Sequence, residues 1–284
     1  MDAVYTEKVD LYSHYAIFSP EGAAASLQIY CPDLLESVQG VRRRPAVLII
    51  PGGGYEHVSW REAEPVALRF VAKGYAAFVL TYSCRPHIFP TALREAAMAM
   101  GYIRQQAQRF SIHNHMVAAI GFSAGGHLCG TLGTLFDSPE VADLAPANCI
   151  RPDALGLCYP VAVSWGRTHE GSFENLTGGD AQLRSRLSLE KLVRPDMPPV
   201  FLWHTRQDMS VPCRNSLILA EALEEAEVPF AMHIYHQGPH GVSVADETVY
   251  PVASVPSVSA DVPGWADAMI AYFRELGFRI TDLE

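Results

Sequence analysis

The sequence predicts an α/β fold: a doubly wound, mostly parallel sheet with helices on both faces, forming one domain over residues 1–284. Three observations predict it. Continuous apolar runs of strand length recur along the chain, as strands buried on both faces require. Amphipathic stretches separate them, as crossover helices between parallel strands do. The apolar run 116–120 passes directly into Gly121-Phe122-Ser123-Ala124-Gly125 and then into a helical pattern.

The elements follow in order. Residues 27–30 read as an early strand and 46–50 as a fully buried one. The stretch 64–73 is amphipathic, and 76–82 is strand again. Leu93, Ala96, Ala97, Met100 and Ala107 fall at helical spacing over 93–108. The strand 116–120 and a helix through Leu135 come next. Residues 154–159, 200–204 and 230–235 are three further strands, and 217–226 and 265–276 are helices. No internal repeat, low-complexity tract or linker divides the chain. The segment 166–199 is longer than an ordinary connection between core strands. It is expected to form a small helical insertion, a short lid over the functional edge of the sheet.

Lysine and arginine number 21 against 31 aspartate and glutamate, a formal charge of −10. That balance argues against a nucleic-acid or anionic-membrane partner and reads as a solubilising surface. No apolar run approaches the ~20 residues that span a bilayer. The segment from Met1 to Lys8 lacks the basic stretch and apolar core of a secretory signal. Cysteines at 31, 84, 129, 149, 158 and 213 show no Cys-x-x-Cys spacing. Several fall in expected strands or helices, where a reduced thiol behaves as a small hydrophobe. A reduced, cytoplasmic protein is the simplest expectation. No cofactor or metal is expected, and a homo-oligomer stays open.

A strand that turns sharply into a helix through Gly-x-Ser-x-Gly is a nucleophile elbow. Ser123 would sit on a strained turn with its hydroxyl exposed, and the small residues 121, 124 and 125 avoid clashes with the neighbouring strand and helix. Such a serine needs a base, a group that orients the base, and donors for an oxyanion. In this strand–turn–helix setting the order is Ser, acid, His. The strand 200–204 runs into a loop carrying Asp208, and the strand 230–235 runs into Gly238-Pro239-His240-Gly241. Asp208 and His240 therefore fall with Ser123 at the C-terminal edge of parallel strands, where catalytic groups of open α/β sheets collect. Asp246 is a rival acid, ranked lower because it follows the histidine.

Pro51-Gly52-Gly53-Gly54-Tyr55 directly follows the strand 46–50. Consecutive glycines let backbone N–H groups converge on one oxygen, so Gly53 and Gly54 are assigned as oxyanion donors together with Ala124. A phosphate loop is excluded, since neither Gly-x-Gly-x-x-Gly nor a following Gly-Lys-Ser/Thr is present.

On these motifs, with His204-Thr205-x-x-Asp208-x-x-Val211-Pro212 and Tyr82-Ser83-x-x-Pro86, the chain resembles a known group. It is similar to the α/β-hydrolase fold esterases and lipases related to hormone-sensitive lipase. Within them it most resembles the small-lidded acetylesterases and feruloyl esterases of decorated plant polysaccharides, the acetyl xylan esterase-like proteins. The resemblance runs from about residue 48 to 273. Pro51 stands where the broader group opens this loop with His, and Arg206-Gln207 stands where acidic or small residues are common. The resemblance implies a serine carboxylesterase acting on short-acyl, above all acetyl, esters of sugars or oligosaccharides. A small peptidase or formamidase is the second enzymatic reading, and a catalytically silent hydrolase-fold binding protein the third.

The other conspicuous residues have plainer readings. Tyr55, next to the glycines, is expected in the site wall. His57 and Trp60 stay open between lining the leaving-group side and simple packing, and Trp165 is a candidate for facing the cleft. His127 is expected to pack or hydrogen-bond structurally. His113 and His115 are expected in a solvated loop, and His204, His233 and His236 in core or edge roles. Arg61, Glu62 and Glu64 read as charges at a helix start.

Overall fold

The computed structural model describes residues 4–32 and 42–282. Its strands and helices follow in chain order. β1 (Val4–Asp10) and α1 (Leu11–Tyr15) lead into β2 (Ser26–Pro32), β3 (Arg42–Ile50), α2 (Glu64–Val71) and β4 (Ala76–Thr81). Next come α3 (Thr91–Gln105), β5 (Ile112–Phe122), α4 (Ala124–Thr134), α5 (Ala147–Ile150) and β6 (Ala154–Cys158). Then follow α6 (Glu170–Thr177), α7 (Ala181–Arg186), α8 (Leu189–Leu192), β7 (Val200–Thr205), α9 (Arg214–Glu225) and β8 (Phe230–Tyr235). α10 (Trp265–Glu275) and β9 (Thr281–Asp282) close the chain.

One sheet runs β1-β2-β4-β3-β5-β6-β7-β8, with β9 paired to the start of β3. β1 and β2 pair antiparallel, as do β2 and β4, whereas β4, β3, β5, β6, β7 and β8 are mutually parallel. The apolar runs are explained by burial on both faces. Along β3, Ala46, Leu48 and Ile50 join a core with Leu93 of α3, Leu128 of α4 and Leu219 of α9. Val47 and Ile49 point the other way, into a core with Phe70 of α2 and Phe273 of α10. Alternation along a strand thus feeds two layers of helix. α2 shows the local logic: Pro65 sits in the first turn, where its missing N–H is harmless, and Val66, Ala67 and Phe70 form the buried stripe.

Two expectations need correcting. His113 and His115 are not in a solvated loop. β5 begins at Ile112, ahead of the apolar run, because Arg44 of β3 pairs with Ile112. His113 is buried there, with its Nε2 2.7 Å from the Thr281 hydroxyl of β9. The sequence reading also lacked β1, α1, α5 and β9.

The segment between β6 and β7 carries α6, α7 and α8. It lies against the C-terminal edge of the sheet. Asn175 of α6 donates to the Gly54 carbonyl at 2.9 Å, and Leu189 N–H donates to the Ala162 carbonyl at 2.8 Å. Among the described residues no helix is long and apolar enough to cross a membrane.

Candidate active site

Each residue of the site hangs from the end of a parallel strand. The glycine loop leaves β3, Ser123 leaves β5, Asp208 follows β7, and His240 follows β8. Ser123 has φ 54° and ψ −119°, the left-handed region that a non-glycine residue occupies only when its surroundings hold it there. Its N–H donates to the Cys158 carbonyl at 3.0 Å, and its carbonyl accepts from Val161 and His127. Glycine is required on both flanks. A Cβ on Gly121 would lie 2.1 Å from the Gly125 carbonyl oxygen, and one on Gly125 would lie 2.2 Å from that of Ile50.

The three side chains meet in a line. Ser123 Oγ is 2.8 Å from His240 Nε2, and His240 Nδ1 is 2.6 Å from Asp208 Oδ2. The other carboxylate oxygen of Asp208 accepts from the N–H groups of Ser210 (3.0 Å) and Val211 (2.8 Å). Burial opposes charge on Asp208, but hydrogen bonds from His204 and His240, with their positive potential, outweigh it and hold the carboxyl well below its usual range. An ionised Asp208 fixes the His240 tautomer. Nδ1–H donates to the carboxylate, which leaves Nε2 free to accept the serine proton.

His204 has a larger place here than its position in the strand suggested. Its Nε2–H is shared between the Val211 carbonyl (2.8 Å) and Asp208 Oδ2 (3.2 Å), and its Nδ1 accepts from the Ser216 hydroxyl at 2.7 Å. It braces the acid's loop. Asp246, the rival acid, instead pairs with Arg69.

The glycine loop folds back on itself: the Gly53 carbonyl accepts from Glu56 and His57. Gly53 and Gly54 have φ of 121° and 68°. Their N–H groups, and that of Ala124, have no acceptor among the described residues. Glu62 is a residue that sequence reasoning misplaced. It is 3% exposed rather than a surface charge, and its Oε2 accepts from Gly52 N–H at 2.7 Å. The single sequence hint was its nearness to the glycines; its burial is a tertiary property.

The expected substrate contacts are placed differently from one another. Tyr55 is only 3% exposed, at φ 55°, and turns beneath the loop to place its hydroxyl 2.9 Å from His127 Nδ1. It supports the loop rather than facing open solvent. His127 Nε2–H donates to the Leu187 carbonyl at 2.7 Å, so its role is structural and ties the loop to the insertion. Trp60 (68% exposed) and Trp165 (46%) present their rings to solvent, and the Trp165 indole N–H donates to Glu190 at 2.8 Å. His169 of the insertion packs its ring over Gly54. A groove of about 800 Å³ runs beside the acid's loop, lined by Arg167, Arg206, Met209, Arg214 and Leu217. Among the described residues no group of three His, Cys, Asp or Glu side chains is placed to hold a metal ion.

Comparison with known proteins agrees with this architecture. The BD-FAE family model matches residues 27–148, and that of the prolyl oligopeptidase family matches 99–256, more than half of the chain. Endo-1,4-beta-xylanase B of Butyrivibrio fibrisolvens is 36% identical over 220 residues, which is 73% of this chain and 34% of that protein. The acetylxylan esterase of Xylanibacter ruminicola is 30% identical over 205 residues, covering 69% of this chain and 40% of that protein. The chain therefore spans well under half the length of these two relatives. A solved structure matches almost end to end. The acetyl ester-xyloside bifunctional hydrolase of Caldicellulosiruptor lactoaceticus has 34% identity and a TM-score of 0.82, over 96% of this chain and 97% of that one. With its sheet order, its strand–serine–helix turn and the family model that matches more than half of it, the chain belongs to the prolyl oligopeptidase family of α/β-hydrolases and is similar to acetylxylan-esterase-like hydrolases.

Proposed function

We propose that the chain is a serine carboxylesterase that removes short acyl groups, acetyl foremost, from sugars or oligosaccharides. The observation that carries the reading is the continuous line from Ser123 Oγ through His240 to Asp208, with hydrogen bonds of 2.8 and 2.6 Å. His240 Nε2 takes the serine proton as Oγ attacks the ester carbonyl. Asp208 holds the imidazole and stabilises its cation. The N–H groups of Gly53, Gly54 and Ala124 receive the oxyanion. The intermediate collapses, His240 returns the proton to the departing alcohol, and an acyl-Ser123 ester remains. Water, deprotonated by the same imidazole, then releases the acid and restores the serine.

The surroundings favour a small acyl group on a bulky polar alcohol. The segment over the site is short, with helices of 8, 6 and 4 residues. The exposed rings of Trp60 and Trp165 offer apolar faces on which a sugar ring can lie. The six cysteines are free thiols, which suits a reducing compartment such as the cytoplasm and imported oligosaccharides as substrates. Amide hydrolysis is the second reading, favoured by the prolyl oligopeptidase family match.

Initial rates on p-nitrophenyl acetate, butyrate and octanoate, an aminoacyl anilide and acetylated xylo-oligosaccharides test this. The proposal expects a steep fall from acetate to octanoate and acetate release from the oligosaccharides. Preference for the anilide or the octanoate would overturn it. Binding without turnover of any of them would favour the silent binding protein.

A further inference from the structure

Glu62 lies buried between the two loops that the proposed reaction must hold in register. Its Oε2 accepts from Gly52 N–H at 2.7 Å, and its Oε1 accepts from the Tyr159 hydroxyl at 2.7 Å. Tyr159 in turn accepts from Ser243 N–H at 3.1 Å, three residues beyond His240. Its ring meets the His240 imidazole edge-on, with centroids 5.2 Å apart. One carboxylate thus joins the start of the oxyanion loop to the loop that carries the base.

The surrounding contacts close a circuit. Ser59 N–H donates to the Gly52 carbonyl at 2.9 Å, so the turn that carries Glu62 grips both backbone polar groups of Gly52. The Ser243 hydroxyl donates to the Arg61 carbonyl at 2.5 Å, and the Arg61 guanidinium lies 5.1 Å from the centroid of the Tyr250 ring. Tyr250 donates to the Gly241 carbonyl at 2.7 Å. Gly52 leaves no slack. A Cβ there would lie 2.8 Å from Glu62 Oε2 and 3.0 Å from Ser123 Cβ. The carboxylate thus holds a glycine that is packed between it and the nucleophile with no room for a side chain.

We propose that Glu62 is a positioning residue: through Gly52 on one side and Tyr159 and Ser243 on the other, it aligns the oxyanion donors with the Ser123–His240 pair. The proposal rests on the esterase reading above. A surface charge at a helix start would touch neither loop. A buried carboxylate with a donor on each oxygen is satisfied only while both loops keep their places. Loosening it lets the Gly53 and Gly54 N–H groups drift from where the oxyanion forms, and transition-state donors are sensitive to such drift.

The test compares kcat and KM of Glu62→Gln, Tyr159→Phe and the double variant on p-nitrophenyl acetate, with Ser123→Ala as blank. Glutamine still accepts from Gly52 but leaves the Tyr159 proton without its acceptor; phenylalanine removes that link from the far end and takes the acceptor of Ser243 N–H with it. Each single variant is expected to lose about ten- to thirtyfold in kcat with KM within about twofold, less than the ~10²–10³ of deleting a donor outright. The double variant is expected to be no worse than Tyr159→Phe, because Glu62→Gln cuts only a connection that Tyr159→Phe already removes. Thermal midpoints check that each protein is folded at the assay temperature. Should Glu62→Gln fail to fold, Tyr159→Phe still decides. Wild-type kcat in the folded variants would overturn the proposal, and so would losses that multiply in the double variant. Activity that survives Ser123→Ala would instead overturn the esterase reading beneath it.

Discussion

Replacing Asp208 with asparagine changes one atom, and the structure says which way the amide must face. Asp208 Oδ1 accepts from two backbone N–H groups, those of Ser210 and Val211, at 3.0 and 2.8 Å. An amide nitrogen placed there would confront two donors in a site whose side chain is 0% exposed. The asparagine oxygen therefore stays on Ser210 and Val211, and its NH₂ faces His240 Nδ1. A donor at that point forces Nδ1 to accept and moves the imidazole proton to Nε2. The imidazole then donates to Ser123 Oγ instead of accepting from it, and no base remains. His204 still has the Val211 carbonyl at 2.8 Å, so the loop keeps its brace. The expected loss in kcat/KM on p-nitrophenyl acetate is on the order of 10⁴, about 5.5 kcal/mol of activation free energy. Circular dichroism and the thermal midpoint would show a folded protein. A folded Asp208→Asn variant that keeps a tenth of wild-type activity would refute the reasoning, because it would show that the tautomer of His240 is set elsewhere.

Three further outcomes are expected. Burial pushes the His127 imidazole down to about 4, while an unfolded histidine titrates near 6.5. Between those values the unfolded chain holds a proton that the folded one lacks, so stability rises with pH across that window, by about 3 kcal/mol from this residue. Urea unfolding at pH 4.5 and 7.5 should show a smaller pH difference in His127→Gln than in wild type; an equal difference would contradict it. Gly125→Ala puts a Cβ 2.2 Å from the Ile50 oxygen and 2.3 Å from the Pro51 oxygen, both backbone atoms. Its thermal midpoint should fall by several degrees, for a cost of about 3 kcal/mol or more, and an unchanged midpoint would show that the turn relaxes freely. Trp165→Ala should raise KM for acetylated oligosaccharides about three- to tenfold while leaving p-nitrophenyl acetate nearly untouched; equal effects on both would remove Trp165 from saccharide binding.

Much of this protein was legible because its strands are buried on both sides. Runs such as Val47 to Ile50 have no polar face to obscure them, and the turn around Ser123 carries its steric constraint in its glycines. What escaped lies at edges and in packing. β1 lies at the rim of the sheet and has only exposed and half-buried residues, and β9 is two residues long, too short for any period to show. His113 read as loop because the strand extends past its apolar run. Among the site residues, the order Ser123, Asp208, His240 could be read from strand ends. Glu62 and Tyr55 could not, because each is defined by what lies under the glycine loop: a carboxylate on Gly52 N–H, and a phenol on His127. Sequence shows a charge and a ring; only the fold shows that both are inside.

The central claim is that Ser123 becomes acylated. Rapid quenching of the protein during turnover of p-nitrophenyl acetate, followed by peptide mass spectrometry, measures it directly. The account predicts one acetyl group on the peptide containing Ser123, absent from Ser123→Ala, which has no turnover above blank. An unmodified Ser123 peptide during steady turnover, or a Ser123→Ala protein with wild-type rate, would contradict it.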